Sequence, residues 1–242
     1  MMRTICCLLA LLPLAIHSAP PKSQEPSDIP TNSRAARHAA RLALQFLNYQ
    51  SASPHQLLEV TDVKKATLLA FPFVGHKYYV EFSANVLQTR EDAGLCSASV
   101  FFLDEKPGPS ISVNCSSNKV QKQARDDDYK FYTTMKAQTS PLTGEYIPDS
   151  YGYITPQLEP VWQLAILGSS YVIVDKSTED REYAMAQIRS VKQILRQDHF
   201  IAFNYDLYLH ERPSEEIIQC LPACGMGTWK STQSALQLPR LL

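Results

Sequence analysis

The sequence predicts an α+β protein in which one unit, a helix followed by antiparallel strands, occurs twice. Three observations carry this expectation. Residues 96–115, CSASVFFLDEKPGPSISVNC, read as a β-hairpin whose two arms end in cysteine. An alanine-rich helical stripe lies upstream of that hairpin. The order helix, strand, strand then returns roughly 120 residues further on, which reads as an internal duplication.

The hairpin is the most explicit element. Small and apolar side chains alternate along Cys96, Ala98, Val100 and Phe102, and again along Ile111, Val113 and Cys115. Lys106-Pro107-Gly108-Pro109 enforces the turn between them. Pairing Val100 with Ile111 and Ala98 with Val113 brings Cys96 opposite Cys115, all on one face. A facing pair of this kind is close enough for a disulfide, and closing such a loop is worth roughly 3 kcal/mol. The alternative is two free cysteines in a core.

The bond requires an oxidising compartment, and the N-terminus predicts one. Arg3 supplies a positive start, Ile5 to Ile16 an apolar run, and His17-Ser18-Ala19 a small-residue cleavage site after Ser18. This is a signal-peptide pattern covering residues 1–18, too short for an anchor. Cys6 and Cys7 leave with it, and Cys96, Cys115, Cys220 and Cys224 remain, an even number in a disulfide-permissive setting. No other segment reads as transmembrane. The apolar run from Val161 to Val174 is short, carries Gly168-Ser169-Ser170, and reads as a buried helix. A net charge of -1 with mixed signs along the chain offers no nucleic-acid footprint and no polybasic membrane surface.

Residues 19–33 form a linker, broken by Pro20, Pro21, Pro26 and Pro30. The first helix runs from about Thr31–Ser33 to Tyr49, with Ala35, Ala39, Leu42, Ala43, Phe46 and Leu47 as its apolar stripe. Strands follow over Leu57–Leu69 and Lys77–Leu87, and the hairpin completes four. Asn118–Gln138 is a charged connecting helix whose Arg125-Asp126-Asp127-Asp128 run reads as a solvated face. Ser140–Thr155 is a loop. Thr155 as N-cap and Pro156 as first residue open the second long helix, with Leu158, Trp162, Ala165, Ser169 and Val172 on its buried side. Phe200–His210 alternates as a strand. Tyr183–Arg196 fits either state, and its Ala184, Ile188, Val191, Leu195 spacing slightly favours helix.

Catalytic chemistry is hard to place. The sequence has no glycine-rich phosphate loop, no GxSxG elbow and no HExxH helix. Its six histidines are scattered, without metal-ligand spacing. The reading is therefore not an enzyme, with no catalytic residue, no metal site and no cofactor. Two modification signals stand out. Asn114-Cys115-Ser116 is an N-glycosylation sequon, with Asn114 facing away from Cys115 in the hairpin. Ser23, Ser177 and Ser214 carry a Ser-x-Glu pattern that a secretory-pathway kinase would phosphorylate, adding charge able to bind calcium mineral.

Five segments in order, AARLALQFLNYQSASPHQLLEV, the Cys96–Cys115 hairpin, IPDSYGYITP, LAILGSSYVIV and FNYDLYLHERPSEEIIQC, make the chain resemble the latexin family. That family includes latexin, the secreted or membrane-anchored retinoic acid receptor responder protein and the eggshell matrix protein ovocalyxin; the leader and hairpin cysteines look most like the responder and ovocalyxin branch. The resemblance implies two tandem cystatin-like domains, each a helix packed on an antiparallel sheet, at 34–117 and 155–220. A connecting segment at 118–154 joins them, and the resemblance makes Tyr183–Arg196 a strand. It also implies inhibition of zinc metallocarboxypeptidases by a loop that here reads His210, Glu211, Arg212, Pro213, Ser214 and Glu215. This loop departs from latexin at Glu215 and at Arg212-Pro213. The cystatin QxVxG motif is absent, so cysteine-protease inhibition is not implied. The competing function class is a structural protein of an extracellular or eggshell matrix, with matrix proteins or calcium mineral as partners. Either reading makes the chain secreted.

After Cys220 the resemblance stops. Residues 221–242 show no sustained alternation, so the second domain is expected to be truncated, with an incomplete sheet and a candidate loop anchored on one side only. Cys220 and Cys224 either bond across a short turn or remain free.

Overall fold

The computed structural model of the chain describes residues 25–106, 108–116 and 122–220, and the backbone of 227–229. The leader, Ser23, Cys224 and most of the expected divergent tail lie outside the described residues.

The first helix, α1, spans Arg34–Ser51. The Oγ of Ser33 accepts from the Ala36 amide at 3.2 Å, satisfying one of the N–H groups a helix start leaves unpaired. At the other end the Asn48 amide donates to the Leu58 carbonyl at 2.9 Å and accepts from its N–H at 3.0 Å. The helix is thereby fastened to the first long strand. That strand, β2 (Leu58–Phe71), belongs to an antiparallel sheet with β1 (Ser27–Asp28), β3 (Gly75–Val86), β4 (Asp92–Leu103) and β5 (Ser110–Cys115), in sequential order. The short β1 lies inside the segment expected to be linker: Ile29 donates to Ala66 and draws the proline-rich chain onto the sheet edge.

The β4–β5 register pairs Cys96 with Cys115, Ala98 with Val113 and Val100 with Ile111, as the alternation required. Cys96 and Cys115 form a disulfide across it, with Cα atoms 4.0 Å apart. Gly75, at the β2–β3 turn, has φ 140°, and a Cβ there would lie 2.0 Å from the Phe102 carbonyl oxygen. Only glycine lets β3 start so close to β4.

After α2 (Lys122–Lys136) the plan repeats: β6 (Thr143–Ile147), α3 (Glu159–Lys176), β7 (Glu182–Ile194), β8 (Ile201–Arg212), β9 (Glu216–Cys220) and β10 (Gly227–Trp229). The duplication extends to irregularities. Both long helices have 18 residues and begin at positions 34 and 159. The β2–β3 hairpin is bulged at Val60/Asp62 and Val63/Lys65, and the β7–β8 hairpin at Met185/Gln187 and Ile188/Ser190. All three features share one offset of 125 positions (34 to 159, 60 to 185, 63 to 188). Bulges set local bend and twist, so each hairpin curves over its helix in the same way. The fold is thus α+β, with two tandem cystatin-like units.

Several expectations are corrected. Tyr183–Ile194 is strand, as the family resemblance implied and against the residue spacing that favoured helix, because β7 pairs with β8 along nearly its whole length. Thr143–Ile147, expected as loop, forms the edge strand of the second sheet. The second long helix begins at Glu159 behind Leu158, with Pro160 in its first turn; Thr155 contributes its backbone carbonyl to Leu158 and Glu159 rather than a side-chain cap. Asp128 is not solvated: it is buried and accepts from the His55 ring at 2.8 Å, tying α2 to the end of α1.

The two long helices pack against each other between the two sheets. This sheet–helix–helix–sheet layering buries α1 on two sides, so Ala36, Ala40 and Leu44 join the expected Ala39, Leu42, Ala43 and Leu47 in the core. The second sheet is smaller. Its β9 has five residues where the equivalent β4 has twelve. The gap is partly filled by β10, which pairs with Ile201–Phe203 of β8 beyond the end of β9.

Candidate functional site

The loop singled out by resemblance is the tip of the β8–β9 hairpin. Leu207 pairs with Cys220, Leu209 with Ile218 and Glu211 with Glu216, leaving Pro213 to Glu215 as the turn after Arg212, the last residue of β8. This corrects the expectation of one-sided anchoring: β9 is short, but it pairs along its full length. Cys220 at its end is buried and disulfide-bonded. Cys224, its partner in one of the two alternatives the sequence left open, lies outside the described residues.

The six candidate residues differ in their surroundings. Pro213, Ser214 and Glu215 are exposed at the tip, and the Glu215 side chain is 76% accessible. A 2.8 Å contact joins Glu215 to His210 Nε2, bracing the turn against the strand, and the Glu216 amide donates to the Ser214 hydroxyl at 3.3 Å. Glu211 is turned inward, whereas Arg212 is exposed and bends its guanidinium back toward the body of the protein. Glu211 is buried, accepts from the Tyr183 hydroxyl at 3.4 Å and faces Arg181 at 3.5 Å. The Arg212 guanidinium lies 3.4 Å from Glu182, which is 5% exposed.

Glu182 is the hub on which the base of the hairpin rests. Arg41 of α1 grips its carboxylate in a fork at 2.5 and 2.6 Å. Burial alone would raise the Glu182 pKa, but the hydrogen bonds and charge of Arg41, aided by His38 and Arg212, outweigh it and hold the carboxyl below its ordinary value. His38 Nε2 meets the Thr178 carbonyl at 2.8 Å and must carry the proton there, while its Nδ1 faces Glu182 at 3.6 Å. Burial lowers the His38 pKa despite these favourable neighbours. Arg34 donates to the backbone carbonyls of Asp180 and Arg212. Further along, Glu179 accepts from the Tyr78 hydroxyl and contacts His76 at 2.7 Å. Burial first, then this carboxylate, push the Tyr78 phenol well up. The helix and third strand of the first unit therefore hold the α3–β7 connection and the root of the candidate loop in place.

Apart from Arg212, none of these clamp residues was singled out from sequence. A signal did exist: Arg34, His38 and Arg41 stand at i, i+4 and i+7, one face of an otherwise alanine-rich helix. Of the other predicted sites, Asn114 is exposed on β5, Ser214 is exposed, and Ser177 is fully buried at the end of α3, where a kinase cannot reach it in the folded chain. Among the described residues no group of three or more His, Cys, Asp or Glu side chains could hold a metal ion. No helix among them is long and apolar enough to cross a membrane.

A family model described as Latexin matches residues 29–231, nearly all of both units. The chain belongs to the latexin family. It is 39% identical over 203 residues to human retinoic acid receptor responder protein 1, covering 81% of this chain and 69% of that protein. Ovocalyxin-32 of Gallus gallus is 38% identical over 187 residues, covering 77% and 68% of the two chains. Mouse latexin is 35% identical over 192 residues, covering 79% and 86%.

Proposed function

We propose that this chain is a secreted, non-enzymatic inhibitor of zinc metallocarboxypeptidases, acting through the tip Pro213-Ser214-Glu215. Membership of the latexin family supplies the inhibitor class. The observation that carries the reading is the build of the hairpin. An exposed three-residue tip stands on two paired strands, and its root is fixed from the first unit through Arg212 and Glu182. A convex, pre-ordered tip enters an enzyme funnel without first losing conformational freedom, which is where preorganisation raises affinity. Glu215 offers a carboxylate, a ligand zinc accepts.

The test is a titration against a carboxypeptidase A-type enzyme with a synthetic peptide substrate. Saturable loss of activity is expected, abolished when residues 213–215 are replaced by Gly-Ser-Gly and weakened by Glu215→Ala. Full enzyme activity at excess chain, or inhibition unaffected by the tip replacement, refutes the reading. The matrix alternative drew on three phosphorylation serines, and the burial of Ser177 removes one of them from the folded surface.

A further inference from the structure

Strand β5 closes the first sheet on one side, and its outer edge pairs with nothing among the described residues. Such an edge is a template for another chain. The other edges of the two sheets carry the usual protections. The long β2 edge has two bulges and the charges of Asp62, Lys64 and Lys65, while β1 covers only two residues of it. β6 carries Glu145 and runs into Pro148 after five residues, and β9 carries Glu216. β5 has neither a bulge nor a charge, and Pro109 stands before the strand rather than in it. Its sequence, SISVNC, has no charge and no proline, its register with β4 is unbroken from Ser110 to Cys115, and a disulfide holds it extended. Six residues alternating Ser, Ser, Asn outward and Ile, Val, Cys inward make a straight, uncharged edge of ordinary strand length.

The one feature of this strand that could guard it is Asn114, first residue of the Asn114-Cys115-Ser116 sequon. Asn114 is exposed and stands opposite exposed Ser97, in a row that continues to Glu81 and Lys65 on the outer face of the sheet. That row is polar and open, with room for an oligosaccharide. We propose that Asn114 carries an N-linked glycan whose bulk blocks edge-to-edge pairing of β5 with a second copy of the chain. The proposal rests on the reading that the chain enters the secretory pathway. In the transfer, the Asn114 amide nitrogen forms a bond to the anomeric carbon of a lipid-pyrophosphate-linked oligosaccharide. The glycosidic C–O bond breaks, the lipid pyrophosphate leaves, and the amide gives up one proton. Because Asn114 is locked opposite Ser97 once the hairpin closes, transfer belongs to the open, reduced hairpin.

The test expresses the full chain, with its own N-terminus, in cultured animal cells. A mobility shift in the secreted chain is expected, lost in Asn114→Gln, kept in Ser116→Thr, and reversed by peptide N-glycosidase with conversion of Asn114 to Asp. Enzymatic removal of the glycan from the folded chain is expected to raise the dimer and oligomer fraction at equal concentration in analytical ultracentrifugation. A secreted chain without the shift overturns this proposal while leaving secretion intact. A chain that stays in the cytosol without glycan overturns both. A glycan whose removal leaves the oligomeric state unchanged overturns the edge-guarding role.

Discussion

Arg41→Met tests the clamp beneath the candidate loop. The Glu182 carboxylate is buried, and Arg41 supplies its two shortest contacts, 2.5 and 2.6 Å. Methionine keeps most of the aliphatic stem and removes the fork. Stranding one member of a fully buried ion pair costs about 3–5 kcal/mol. The Arg41 side chain is 36% exposed and Arg212 remains 3.4 Å away, so water and the second cation recover part of this. A loss of about 2 kcal/mol is expected. Glu182→Gln should cost less, about 1 kcal/mol, because it leaves no charge buried. Arg41 and Arg212 can then turn to solvent, and the new amide can reach His38 Nδ1. Urea unfolding followed by tryptophan fluorescence and far-UV circular dichroism measures both variants. Both tryptophans, Trp162 and Trp229, lie in the second unit, so fluorescence reports that unit alone. The reasoning fails if Glu182→Gln proves as damaging as Arg41→Met. It also fails if Arg41→Met lies within about 0.5 kcal/mol of the parent, the range of an ordinary surface change.

Three further outcomes are expected. His38, flanked by Glu182, Arg41 and Arg34, has its pKa lowered from 6.5 chiefly by burial, so the unfolded chain binds its proton more readily than the folded one. Its contribution to stability is complete above pH 6.5 and is lost as pH falls through the folded value; Glu182, held below 4.5, adds a further loss in stronger acid. Denaturant midpoints measured against pH should show the first loss, and His38→Gln should flatten it. Gly75→Ala sets a Cβ 2.0 Å from the Phe102 carbonyl oxygen at a φ that alanine avoids. It should lower stability by about 3 kcal/mol or more in thermal unfolding. Cys96→Ser opens a loop whose ends are 19 residues apart and should cost about 3 kcal/mol, with Cys115→Ser matching it and the double variant adding little.

The first unit was legible because each signal in it is local. Ser33 caps the helix by accepting from an amide three residues on, and Gly108, at φ 74°, serves a hairpin whose arms alternate without interruption. The register from Cys96 to Cys115 followed from parity alone. Tyr183–Arg196 failed the same treatment for a definite reason. Its bulges at Met185/Gln187 and Ile188/Ser190 break the two-residue alternation and leave apolar residues at a spacing that imitates a helix. The same bulges in β2, 125 positions earlier, show this to be part of the fold rather than a defect of one strand. The loop expected from the family resemblance lies on a hairpin tip, but one of its six residues, Glu211, is buried, and Arg212 turns its charge back onto Glu182.

The sequence by itself determined the α+β class, the duplicated helix-and-strand order and the stapled hairpin. Each depends on neighbours in the chain or on strand parity, and such relations survive without knowledge of the fold. Only the tertiary structure decided that the two helices meet between the sheets, and that Arg41, His38, Arg34 and Arg212 converge on Glu182 and its flanking loop. It also decided that Asp128 and Ser177 are buried. Arg34, His38 and Arg41 meet partners more than 100 residues away, and these contacts depend on which faces of the two units meet. That pairing of faces is a property of the packed chain, which no local pattern encodes.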